Sequence, residues 1–295
     1  MSFVTIVVAL IIERFTTRVE QLRNFSWLPR YARALRARAE GFGLGGTAAL
    51  ALAVALPVVV VALIFALLGE VWGGVLGLLL GLGVLLLCLG PRNLDREVDA
   101  YLEAGALKDP ERETRHAAHV LGDRPVPENA AERARAVLEA LLSESNTRLF
   151  AVLFWFMVLG PVGAVLYRLA HLLRAPTAGG EGEEDAFQQA ATRLQALLDW
   201  IPARLVALGY ALTGSFDRTY PVLRAGLRGP LAEMAAQNQR LLQEAGGEAI
   251  LLSEADLSDP LQARATVERA SNLVFRTLVA FVAVLALLSI AGVAG

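Results

Sequence analysis

The stretch LDWIPARLVALGYALTG (residues 198–214) decides the fold. It is apolar enough to enter a bilayer, yet Asp199 and Arg204 sit near its start with Pro202 between them. Leu194, Leu197, Leu198 and Ile201 recur at helical spacing and Leu205, Leu208 and Leu212 continue the row, so the stretch reads as helix. A helix that starts near Asp199 puts Pro202 in the first turn, where amides have no intrahelical partner. Asp199 is then an N-cap at the positive end of the helix dipole. Trp200 and Arg204 are spaced for a cation–π contact. Two placements suit these residues: a capped interfacial helix with Arg204 snorkelling to the headgroups, or a helix whose Asp199 and Arg204 line a polar cleft. The reading adopted is a partly buried helix that lines such a cleft at the interface and does not span.

The chain around it has 295 residues, 55% of them hydrophobic, with a mean hydropathy of +0.50. Its continuous apolar runs approach the ~20 residues that a membrane-crossing helix needs. A net charge of −2 gives nucleic-acid binding no electrostatic support. The single cysteine, Cys88, excludes an internal disulfide and a multi-cysteine metal site. His116 and His119 can share a helix face, but two imidazoles make an incomplete site, and no metal is expected.

The expected fold is all-α: a polytopic helical membrane protein with a broken or re-entrant segment and cytoplasmic helical segments. Residues 1–90 hold a short N-terminal membrane helix, a basic cytoplasmic loop and a transmembrane hairpin. Pro57 is tolerated in the first hairpin helix where neighbours satisfy the carbonyl it frees. Gly73, Gly77 and Gly81 form a stripe for close helix packing in the second, with another copy of the chain as a candidate for that face. Residues 91–148 read as a cytoplasmic helical segment, broken at Asp109-Pro110 and at residues 122–129. Residues 149–173 are long enough to span but are interrupted at Gly160-Pro161, leaving a kinked span and a re-entrant hairpin as alternatives. Residues 174–272 read as an amphipathic helical region and residues 273–295 as a final transmembrane helix.

Several stretches, in order along nearly the whole chain, resemble the AmpE family of inner-membrane proteins. They are TIVVALIIERF, GLLLGLGVLLLCLG with DAYLEA, ESNTRLFAVLFWF, LGPVGAVLYRL and the quoted stretch. They are also similar, more distantly, to the cobalamin-pathway membrane ligase adenosylcobinamide-phosphate synthase. The first resemblance implies a multi-pass protein of the bacterial inner membrane, non-catalytic, tied to cell-wall status, peptidoglycan recycling and β-lactamase induction. It also implies a cytoplasmic cell-wall amidase as partner, beside the surrounding lipid bilayer.

The ligase pattern implies ATP- and Mg²⁺-dependent amide formation, and this chain departs from it. Asn146 remains of its Glu-Asn-x-x-Asp run, but Leu149 stands where the first Asp would be. His171 and Arg174 replace an Asn and an Asp after Tyr167-Arg168. Gln195 and Ala196 occupy two acidic positions, and Asp199 takes that of an Asn. Mg²⁺ that clamps phosphates needs carboxylates. No catalytic residue and no cofactor is therefore expected, with ATP and Mg²⁺ required only if ligase activity persists. A transporter or lipid-binding scaffold is a third alternative, without an internal repeat to support it.

Glu13, Arg14, Asn146, Arg148, Arg168, Asp199 and Arg204 all sit at the edges of apolar runs. Ionisable groups at such places pair or face a cavity. They are expected to form a polar cleft for an anionic small ligand, with Arg148, Arg168 and Arg204 converging if residues 149–173 re-enter. Alanine at Asp199 or Arg204 is then expected to remove function with little loss of folded protein.

Overall fold

The computed structural model describes residues 2–15, 25–71, 73–90, 94–122, 124–174, 186–227, 233–253 and 255–291, and none of these is in a strand. The helices, in order, are α1 (Ser2–Phe15), α2 (Leu28–Gly41), α3 (Gly46–Val71), α4 (Gly73–Cys88), α5 (Leu94–Ala106), α6 (Pro110–Leu121) and α7 (Ala130–Ser145). A π-helical turn (Asn146–Phe150) leads into α8 (Ala151–Leu173), followed by α9 (Ala186–Thr213), α10 (Phe216–Gly226), α11 (Met234–Ala249), α12 (Ala255–Ser258) and α13 (Pro260–Ile290). Four runs, Gly46–Leu67, Ala130–Leu173, Ala186–Thr213 and Leu261–Ile290, are long and apolar enough to cross a membrane. The helical membrane-type fold read from the sequence is the one observed.

The chain divides into two compact units. One comprises Met1–Pro91, Ala151–Asp199 and Leu285–Gly295; the other comprises Arg92–Phe150 and Trp200–Val284. The core of the first joins Leu28 and Ala32 of α2, Ala53 of α3, Leu169 of α8 and Phe187 of α9. That of the second joins α5, α6, α7, α9, α11 and α13 through Val98, Val120, Leu138, Val206, Leu242 and Val267.

Two carbonyls of the first unit, those of Ala53 and Leu198, lose their helical donors to interior prolines. A proline has no N–H, so the carbonyl four residues earlier loses its helical donor. Pro57 does this to Ala53 inside α3, and the hydroxyl of Tyr31 on α2 donates to the Ala53 carbonyl at 3.2 Å. Burial pushes the Tyr31 phenol above its usual pKa, which keeps it a donor. Pro202 does the same to Leu198 inside α9, and the Trp155 indole donates to the Leu198 carbonyl at 3.0 Å.

Residues 151–173 are a helical hairpin. Gly160 leaves the helix with φ 65° and ψ −152°, which suits a residue without a Cβ, and Pro161 follows. Trp155, before the break, bonds to Leu198, and Tyr167, after it, bonds to Asp199. In a straight helix those two side chains would be about 18 Å apart along the axis. They grip consecutive residues of α9 only because the arms fold back. Gly163 closes the reversal: a Cβ there would collide with the Trp155 carbonyl.

One expectation about the quoted stretch needs correction. Asp199 does not cap a new helix, because α9 runs unbroken from Ala186 to Thr213 with Pro202 in its interior. Its 28 residues also make it long and apolar enough to cross a bilayer. Leu197, Ile201, Leu205, Leu208 and Leu212 face outward, while Ala203, Val206, Ala207, Tyr210 and Ala211 are fully buried. Large apolar groups outside, with three alanines among the inner residues, suit a helix with apolar surroundings on one side and close helix neighbours on the other. Gly209 shows how close: a Cβ there would lie 2.5 Å from Cγ2 of Thr277 on α13. Thr213 and Thr277 share a hydrogen bond of 2.9 Å on the same helix pair.

Trp155→Phe is expected to destabilise the protein by about 1–3 kcal/mol, the cost of leaving a buried carbonyl without a donor. The loss should shrink to less than half of that in a Pro202→Ala background, where the restored amide serves Leu198. Thermal unfolding of the two single variants and the double variant in detergent measures the coupling. Additive effects would show that Trp155 does not serve this carbonyl.

Candidate functional site

Asp199 is the centre of a polar constellation in the first unit. Its Oδ1 accepts from the Tyr167 hydroxyl at 2.6 Å and its Oδ2 from the Gln195 amide at 2.9 Å. Tyr167 and Gln195 are buried, and Asp199 is half-buried. Gln195 stands one helical turn before Asp199, so helix α9 supplies both halves of that bond. Gln195 Oε1 is buried and accepts no hydrogen bond. Arg168, one residue beyond Tyr167, is also buried, with its guanidinium 5.8 Å from the Phe25 ring. Glu13 and Arg14 close α1, half-buried and exposed respectively.

Arg204 lies in the second unit and holds three helices together. Its Nη1 donates to the Trp200 carbonyl and to Asn238 Oδ1, both at 2.9 Å, and its Nη2 to the Gly226 carbonyl at 2.7 Å. The guanidinium stacks 4.2 Å over the Trp200 ring, as their spacing predicts. Gly226 ends α10 and Asn238 lies on α11, so one side chain ties both to α9. Arg148, in the same unit, serves the end of α6. It donates to the carbonyls of His119 and Val120, at 3.5 and 3.0 Å, and pairs with Glu144 at 3.6 Å. A cation at a helix C-terminus opposes the dipole and covers carbonyls that lack helical partners. Arg148 and Arg204 thus bond to different elements.

Asn146 is buried and opens the π-helical turn. The change of helical register there is secured by Tyr210, whose hydroxyl donates to the Leu142 carbonyl at 2.9 Å and meets Ser145 Oγ at 2.8 Å. Of the packing glycines, Gly81 lies against Pro161 and Phe156, whereas a Cβ on Gly77 would meet nothing within 4 Å. The surroundings of Gly73 lie outside the described side chains. Among the described residues, the three-member group of His, Cys, Asp or Glu close enough to share an ion is Glu97, His116 and His119, and Asp199 is not part of it.

Sequence reading missed the roles of Trp155, Gln195 and Asn238. The four-residue spacing to Asp199 carried a signal for Gln195. Nothing local points from Arg204 to Asn238.

A helical fold with four runs long and apolar enough to cross a membrane, and a broken hairpin gripping a proline-containing helix, defines a class of membrane-type protein, and whole-chain comparison narrows it. Residues 1–294 match the model of the family described as "Regulatory signalling modulator protein AmpE", and the chain belongs to that family. The protein AmpE of Shigella flexneri is 28% identical over 77% of this chain and 79% of its own length. The cobalamin biosynthesis protein CobD of Chromobacterium violaceum is 34% identical over 48% of this chain and 45% of its own. CobD of Stutzerimonas stutzeri is 45% identical over 29% of this chain and 28% of its own. The chain therefore spans less than half the length of these CobD relatives. No solved structure matches it.

Because Arg204 serves three acceptors, Arg204→Ala is expected to lower stability by about 1–3 kcal/mol as well as to affect function. Arg204→Lys should recover only part, since an ammonium cannot reproduce the fork and the stacking. Asp199→Asn should fold nearly as well as the parent, because rotating the Gln195 amide lets its Oε1 accept from the new amide. Thermal unfolding of the three variants checks the order.

Proposed function

We propose that this protein is a non-catalytic, multi-pass regulatory protein of the bacterial inner membrane that links cell-wall status to β-lactamase induction. The whole-chain match to the family of regulatory signalling modulators carries the reading. The site supports it. On the ligase-like pattern, Gln195 stands in an acidic position and Asp199 in that of an Asn, so the pair has exchanged acid and amide. Here the two residues are joined across the turn, the Gln195 amide donating to the Asp199 carboxylate at 2.9 Å. Asp199 then accepts from two neutral donors, Tyr167 and Gln195. Among the described residues Asp199 belongs to no group of three His, Cys, Asp or Glu side chains placed to share an ion, whereas Mg²⁺ on a triphosphate calls for several oxygen ligands.

Its ligand on this reading is an anionic small molecule, derived from the cell wall or nucleotide-like, and its partner a cytoplasmic cell-wall amidase. The hairpin of residues 151–173 enters and leaves the membrane on one side, keeping the ends of both arms cytoplasmic.

The test is induction of a chromosomal β-lactamase in a host lacking its own family member, complemented with the parent protein or Asp199→Asn. The parent should change the induction ratio, and the variant should fold yet fall short of it. Calorimetry of the purified protein with ATP and Mg²⁺ should show no saturable binding. Saturable binding together with unchanged induction would overturn the proposal in favour of an amide-forming ligase with altered substrate.

A further inference from the structure

We propose that Glu97, His116 and His119 form a site for one divalent transition-metal ion of the zinc class, bridging α5 and α6. The site does not depend on the regulatory reading.

It follows from how the two helices start and pack. Asp109 caps α6, its Oδ1 accepting from the Arg112 amide at 3.1 Å, and Pro110 takes the first helical position. That start turns Ala117 and Val120 into the core beside Val98 and Tyr101 of α5. His116 and His119 flank this apolar seam on one side, and Glu97, next to Val98, meets them from the other. Nδ1 of His116 and Nδ1 of His119 each lie 2.9 Å from the same oxygen, Oε2 of Glu97. One donor atom from each of the three residues falls within 4.8 Å of the others.

A carboxylate and two imidazoles are a zinc-type donor set, and zinc bonds of ~2.0–2.2 Å in a tetrahedron separate the ligand atoms by about 3.3 Å. The observed 2.9 Å contacts need open by only a few tenths of an ångström. Two nitrogens and one oxygen favour Zn²⁺ and its late first-row neighbours over Mg²⁺ or Ca²⁺, which take oxygen. Three protein ligands leave a fourth position for water. The side chains are 16–29% exposed, within reach of an ion from solution. Both helices lie outside the runs long and apolar enough to cross a membrane. Arg148 bonds to the backbone carbonyls of His119 and Val120, fixing the helix end that carries one ligand.

The experiment uses full-length protein purified in detergent without a histidine tag, stripped with chelator and dialysed against Zn²⁺ or Co²⁺. Bound metal is measured by elemental analysis and Co²⁺ ligation by visible absorption. The parent should retain one ion per chain and show the intense d–d bands of a tetrahedral site. The isosteric E97Q should bind about tenfold or more weakly, the H116A/H119A double variant should lose the ion, and H171A should behave as the parent. Variants are compared as monodisperse, helical protein by size exclusion and circular dichroism. No stoichiometric metal in the parent, or equal affinity in E97Q, would overturn the site.

Discussion

Inside a bilayer no water is at hand for a backbone carbonyl, so each carbonyl that a proline strips of its donor must find one in a neighbouring helix. The first unit is arranged around that constraint. Tyr31 supplies the donor opposite Pro57, and Trp155 supplies the one opposite Pro202. The prolines thereby specify neighbours. An aromatic side chain with a polar tip brings apolar packing and a directed hydrogen bond together, and the helix it serves is held in register as well as in contact.

The Trp155 bond also ties the hairpin to the polar constellation. With Trp155 on the first arm bound to Leu198, the second arm is placed so that Tyr167 reaches Asp199. The polar residues thus sit where backbone repair has already fixed the geometry. The second unit works by another device: arginines cover carbonyls at helix ends, Arg148 on α6 and Arg204 on α10. A guanidinium used in this way is structural first, and any role in ligand recognition is added to that one.

Much of the fold was legible from the sequence. Apolar run length, the Gly160-Pro161 break and the tolerance of Pro57 all follow from rules that a single chain displays. The breaks at Asp109-Pro110 and near Asn129 proved to be helix starts, each with a side-chain cap. The start of α9 was misread because Pro202 matches a first-turn signal when only its own neighbourhood is considered. The donor that makes it tolerable in mid-helix is Trp155, far away in the chain. The direction of the break at Gly160 was illegible for the same reason, since a kink and a hairpin differ only in which distant residues the arms touch. Glu97 was invisible as a partner of His116 because helix packing, not spacing, brings them together.

The hairpin at Gly160 is the claim on which this account turns, and sided labelling tests it most directly. Single cysteines would replace Thr147 and Arg174, in a Cys88→Ser background, and a membrane-impermeant maleimide would be applied to vesicles of each orientation. With the hairpin in place, both positions react from the same side of the membrane. Reaction from opposite sides would mean that the segment crosses straight, and would contradict the hairpin and the grip of its two arms on α9.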